Sequence, residues 1–178
     1  MNLPKVRGKK ALLIIAPKNF RDEEYFDTKQ VLEKYGVAVT TASSSPGKIK
    51  GMLGKTATAG IGLDEVSVED YDAVVFIGGI GAQAYFNDSK AQEIAVSAYE
   101  SGKTVGAICI APVILANAGI LKGKRATCWD GEFASQLEAG GADCTGEDVV
   151  RDDKVITANG PSAARSFGAE IVKALANG

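Results

Sequence analysis

The residue in this chain best placed to do chemistry is Cys109, which ends the apolar run of "GAICIAP" and stands shortly before a proline suited to the first turn of a helix. Ala107 and Ala111 lie two positions to either side. A strand that turns sharply into a helix at its nucleophile needs small residues there, because larger side chains would collide across the turn. A helix starting at this point would aim free N–H groups and the positive end of its dipole at the sulfur, favouring thiolate and lowering the thiol pKa. The competing reading makes Cys109 a small buried hydrophobe. Strand end, small flanks and helix start together favour the reactive thiol.

The chain contains no histidine, so a Cys-His dyad or triad cannot be assembled from it. The activator must be another kind of group, and the helix after the first strand offers two adjacent glutamates. Glu24 follows the first apolar run on a segment of helical spacing, where it shares a stripe with Thr28, Val31 and Tyr35; Glu23 shares its stripe with Asp27, Gln30 and Lys34. Glu24 is therefore expected to point inward, where burial raises its pKa and lets it keep a proton near neutrality and hydrogen-bond a thiolate. The alternative is a first-turn acid that complements the helix dipole. In "FIGGIGAQAYF", positions 79–84 fit a loose G-x-G-x-x-A pattern. That fingerprint belongs to the first strand-helix turn, with an acid about 20 residues on at a strand end, and Glu100 at this spacing falls in a helix. Neither a cofactor nor a metal is expected. A Gly-Gly turn instead lets backbone N–H groups approach an oxyanion.

These residues need a scaffold, and the order of elements supplies one. Strands are expected at 10–16, 37–42, 72–79, 104–108 and near 125–128, with helices over 22–35, 89–101, 111–119, 132–139 and 163–176. Asp88 or Ser89 starts the second helix, with Gln92 placed for a capping box. The Gly-, Ser- and Thr-rich segment 43–66 reads as a β-hairpin beside the sheet, and 149–151 with 155–158 as a β-pair. Strands alternating with helices imply an α/β fold, a mostly parallel sheet with helices on both faces. Cys109 sits at the carboxyl end of a strand, where open parallel sheets place their sites.

At 178 residues the chain is expected to form one domain over 1–178. A net charge of -2 gives no reason to expect nucleic acid or an anionic membrane surface as partner. The apolar stretch at 12–16 is too short for a signal or membrane-spanning segment. Three cysteines, an odd number, fit reduced thiols in a cytoplasmic setting. Cys128 reads either as a core cysteine or as a resolving thiol for Cys109, and Cys144, in "GGADCTG", has no evident role.

Four features in order, "FRDEEYF", "FIGGIGA", "GAICIAP" and "TANGPSAARSFGAEIVKAL", together resemble the ThiJ/PfpI superfamily over nearly the whole chain. The resemblance implies a flavodoxin-like three-layer sandwich that works as a homodimer. It makes Cys109 the reactive cysteine, Glu24 its protonated carboxyl partner, and the backbone N–H groups of Gly79 and Ile110 an oxyanion hole. Gly78, Trp129, Gly160 and Pro161 would line the pocket. Where the peptidase-like branch carries a histidine directly after the cysteine, this chain has Ile110; Trp129 falls roughly where the deglycase branch often has one. The activity implied is glyoxalase- or deglycase-like, on a small reactive carbonyl or its adduct. The alternatives are a redox sensor or stress-response protein working through oxidation of Cys109, a PfpI-like peptidase weakened by the missing histidine, and a regulatory relative with a closed pocket.

Overall fold

The computed structural model describes residues 2–178. Strand β1 (Lys10–Ile14) leads to helix α1 (Asp22–Lys34) and strand β2 (Ala38–Ser43), then to β3 (Gly47–Lys50), β4 (Thr56–Ala59) and the short β5 (Ile61–Gly62). Next come β6 (Ala73–Phe76), α2 (Ser89–Glu100), β7 (Thr104–Ile108), α3 (Pro112–Asn117), β8 (Arg125–Ala126), α4 (Glu132–Ala139) and β9 (Asp143–Cys144). The chain ends with β10 (Val149–Asp152), β11 (Val155–Ala158) and α5 (Ala164–Ala176). This is the expected flavodoxin-like α/β sandwich.

The seven-stranded sheet runs in the order β10-β11-β7-β6-β1-β2-β5. Every neighbouring pair is parallel except β10 with β11. Period-two alternation feeds both faces: Leu12 and Ile14 enter one core cluster, Leu13 and Ile15 the other, and all four are buried. Helices α1 and α5 pack on one face and α2, α3 and α4 on the other. From β1 the chain first moves outward to β2 and then returns to place β6 on the other side of β1. The loops after β1 and β6 therefore diverge from a topological switch point, which leaves a crevice at the carboxyl ends of the strands.

Strands β3 and β4 form the expected antiparallel hairpin, separate from the main sheet. Its turn is tied to α1 by Asp22, a buried carboxylate that accepts the Leu53 and Lys55 N–H groups at 2.8 and 2.9 Å. The sequence pattern did not reveal this link, because an acid in a helix's first turn reads as a dipole complement.

Three local expectations change. Asp88 caps α2, accepting the Ala91 N–H at 2.8 Å, but Gln92 does not close a capping box: its amide donates to the Phe86 carbonyl at 2.9 Å. Strand β8 ends at Ala126 and pairs with β9 in a separate two-stranded sheet, so Cys128 lies beyond its strand and Cys144 is in one. Helix α3 begins at Pro112 and has six residues.

Candidate active site

Three chain segments converge at the switch point: the start of α1, the loop after β6 and the turn after β7. Cys109 occupies that turn with φ of 65°, a left-handed conformation that costs a non-glycine residue roughly 1–3 kcal/mol. Its N–H donates to the Ala158 carbonyl at 2.9 Å, and its carbonyl accepts the Trp129 N–H at 2.7 Å. The strained turn is thereby pinned from two sides. Cys109 is 8 % exposed, enough to meet a small molecule at the pocket floor.

Glu24 points inward, as its helical stripe predicts, and is fully buried. Its Oε2 accepts the Gly78 N–H at 2.9 Å, and the carboxyl makes a side-chain hydrogen bond with the Cys109 thiol. A side chain at Gly78 would put its Cβ 2.5 Å from Glu24 Oε2 and 2.6 Å from Cys109 Cβ. Gly78 is therefore the spacer that lets carboxyl and thiol approach, lying behind the pair rather than along the pocket wall. Backbone N–H groups of Gly79 and Ile110 both donate to the Cys109 sulfur. Gly79 reaches this position with φ of 100°, and the Arg21 N would lie 2.3 Å from any Cβ placed there.

Burial raises the Glu24 carboxyl to about 8, against the opposing pull of Cys109, the Gly78 N–H and Arg21. Burial also pushes the Cys109 thiol upward, and a charged Glu24 beside it pushes it further, while the two N–H donors pull it down. The expected lowering of the thiol by a helix N-terminus is thus not what surrounds it. Helix α3 starts three residues on and is too short to dominate the burial cost. Thiol and carboxyl titrate as one unit, because two negative charges in contact cannot both be accommodated at low dielectric.

The pocket above the pair has a volume of about 190 Å³. Its apolar walls are Met52, Ile80, Ile110, Trp129, Phe133 and Pro161, and Arg21 adds a guanidinium. Of the residues expected along the wall, Trp129 and Pro161 are there. Gly160 instead lines a neighbouring cavity and packs under the Trp129 ring, 2.9 Å from the position of a Cβ. Arg21, Met52, Ile80 and Phe133 were not foreseen. Arg21 precedes Glu24 by only three residues, whereas Met52 arrives from the hairpin and Phe133 from α4.

The description of the DJ-1/PfpI family matches residues 9–174. The chain belongs to the DJ-1/PfpI family. Within it, the chain is 43% identical over 172 residues to an uncharacterized protein of Methanocaldococcus jannaschii, covering 96% of this chain and 84% of that one. A deglycase of Pyrococcus abyssi is 32% identical over 92% of this chain and 98% of its own. A glutathione-independent glyoxalase of Caenorhabditis elegans is 30% identical over 94% of this chain and 89% of its own. Among solved structures, a ThiJ/PfpI domain protein from Brachyspira murdochii superposes with a TM-score of 0.92 at 34% identity, covering 96% and 99% of the two chains. DJ-1/PfpI relatives thus include proteins named as a deglycase and as a glyoxalase.

Proposed function

We propose that this DJ-1/PfpI protein is a cysteine-dependent glyoxalase- or deglycase-like enzyme acting on small reactive carbonyls such as methylglyoxal or their adducts. The observation that carries the reading is the buried carboxyl and thiol in contact beneath a small apolar pocket, with two backbone N–H donors at the sulfur. Glu24 Oε2 accepts from Gly78, so a proton on the carboxyl belongs on Oε1, a buried oxygen that lacks a hydrogen-bond partner. When Glu24 keeps that proton, its charge no longer opposes ionisation of the thiol and its O–H becomes a donor to sulfur. The single negative charge of the pair then rests on Cys109.

The Cys109 thiolate attacks the aldehyde carbon, forming a C–S bond while the carbonyl π pair moves to oxygen. Gly79 and Ile110 N–H groups stabilise the oxyanion, and Glu24 protonates it to give a hemithioacetal. Glu24, now a carboxylate, takes the proton from the hemithioacetal carbon and returns it to the adjacent carbon of the dicarbonyl, while the hydroxyl proton passes from the first oxygen to the second. The product is a 2-hydroxy thioester, which water hydrolyses to a 2-hydroxy acid and free thiol. Imidazole is needed at no step. Reduced thiols in a cytoplasmic setting suit this cycle.

Alkylation of Cys109 by iodoacetamide tests the shared proton. The rate is expected to rise with pH as the pair gives up its first proton, with a midpoint near the value of about 8 to which burial raises the Glu24 carboxyl. In Glu24→Leu the midpoint should move above an ordinary cysteine's value of about 8.5, because burial then acts with no donor in place of the carboxyl. Identical midpoints in the two proteins would sink the proposed partnership.

A homodimer belongs to the same reading. Among the described residues the exposed large hydrophobics are Met52, Leu53, Ile80 and Trp129, and three of them line the pocket. An apolar rim of this kind is what a second copy would cover. Light scattering should report twice the 18.5 kDa chain mass, and a monomer at micromolar concentration would refute it.

A further inference from the structure

Cys128 and Cys144 take no part in the site just described, yet the fold brings them together. Parallel pairing of β8 with β9 sets Cys144 opposite Ala126, two residues before Cys128. Both cysteines line one cavity of about 360 Å³, which also holds Asp130, Asn159 and Ser162. The two thiols are hydrogen-bond partners across it. Cys128 is buried and its Sγ–H also reaches the Trp129 carbonyl at 3.2 Å, whereas Cys144 is partly exposed. Cys109 lines the other pocket, so the sulfur best placed to pair with Cys128 is that of Cys144.

We propose that Cys128 and Cys144 form a reversible redox site in which a hydroperoxide converts the dithiol to an intramolecular disulfide. Cys144, the accessible member, attacks the peroxide: an S–O bond forms, the O–O bond breaks, and with hydrogen peroxide the leaving hydroxide departs as water. Cys128 sulfur then attacks the resulting sulfenic acid, forming the S–S bond and breaking the S–O bond, and its proton leaves with the hydroxyl as a second water. The dithiol loses two electrons and hydrogen peroxide is reduced to two waters. A thiol reductant reverses the change. Burial, and then the neighbouring Cys144, push the Cys128 thiol up to about 12, consistent with Cys144 reacting first.

Trp129 gives the bond a consequence. It walls both cavities, and its N–H holds the carbonyl of Cys109. Disulfide formation removes the Cys128 S–H that binds the Trp129 carbonyl. The segment behind the reactive cysteine is therefore placed to respond to oxidation of the pair.

The full chain treated with hydrogen peroxide supplies the test. No Lys or Arg lies between Arg125 and Arg151, so both cysteines fall in one tryptic peptide, 126–151, which should lose two hydrogens on oxidation. Cleavage after Glu132 and Glu138 should leave its fragments joined until a reductant is added. Trp129, the sole tryptophan, should report the same step by a change in fluorescence, in wild type and in Cys109→Ala but not in Cys144→Ser. The closed loop should raise Tm by roughly 5–10 °C over the reduced protein. A Cys109–Cys128 link, or sulfinate on either cysteine without the link, would overturn the proposal; so would an unchanged peptide mass. The mass readout needs no variant, so misfolding of Cys144→Ser would not spare the idea. It also involves no turnover, and fails or succeeds independently of the glyoxalase reading.

Discussion

Glu24→Gln should lower turnover of methylglyoxal by roughly 100-fold or more while leaving Cys109 open to alkylation at neutral pH. The two readouts separate because glutamine copies one role of the protonated carboxyl and lacks the other. Its carbonyl oxygen can accept the Gly78 N–H that Glu24 Oε2 accepts at 2.9 Å, and its amide can donate to the sulfur as the carboxyl O–H would. It cannot release a proton or take one from carbon. A variant that keeps full turnover would remove Glu24 from the proton transfers, and one that loses alkylation as well would mean that the side chain acts by holding the elbow. Cys109→Ala is the companion control: lactate production that survives it cannot proceed through the thiol.

The second large effect concerns stability. A Cβ on Gly81 would lie 1.8 Å from the Lys18 carbonyl oxygen and 3.0 Å from Ala16 Cβ. The first contact is with backbone, which cannot swing aside. Gly81→Ala is therefore expected to cost about 3–5 kcal/mol, a fall in Tm of roughly 10 °C or more for a chain of this size. Gly123→Ala is the reference. Gly123 has φ of 74° and nothing within 4 Å of a Cβ, so it isolates the backbone penalty of about 1–2 kcal/mol. Equal losses by thermal unfolding would show that the loop after β6 is not wedged against the loop after β1. Since the loop after β6 carries Gly79, a displaced wedge should also move one of the two N–H donors at the sulfur.

Much of this site was legible in the sequence because local periodicity decides it. The stripe of Glu24 pointed inward, although a first-turn acid complementing the helix dipole would share it, and the small neighbours of Cys109 pointed to a tight turn. The order of strands and helices led to the parallel sheet, and that sheet to the crevice at its carboxyl edge. What could not be read depends on contacts across long separations in the chain. Asp22 looks like any first-turn acid until the hairpin turn is folded onto it. Cys144 looked idle because β9 has only two residues, too few for a period, and its partner strand lies 18 positions back. The thiol's titration escaped for another reason: the helix dipole was visible in the pattern, but the depth of burial that outweighs it was not.

The clamp on the hairpin has a consequence for how such a site can change over generations. Met52 belongs to the turn held by Asp22, and its sulfur accepts the Ile80 N–H at 3.4 Å. One wall of the pocket therefore hangs from the hairpin turn, which is joined to the scaffold by the Asp22 carboxylate and by backbone bonds to Asn19 and Phe20, while the nucleophile sits in the turn after β7 and the acid on α1. Side-chain exchanges at Met52 would alter which molecules fit while leaving the backbone donors to Asp22, and the machinery beneath, in place. Selection can thus try new substrates on one part of the chain and keep a single chemistry on another.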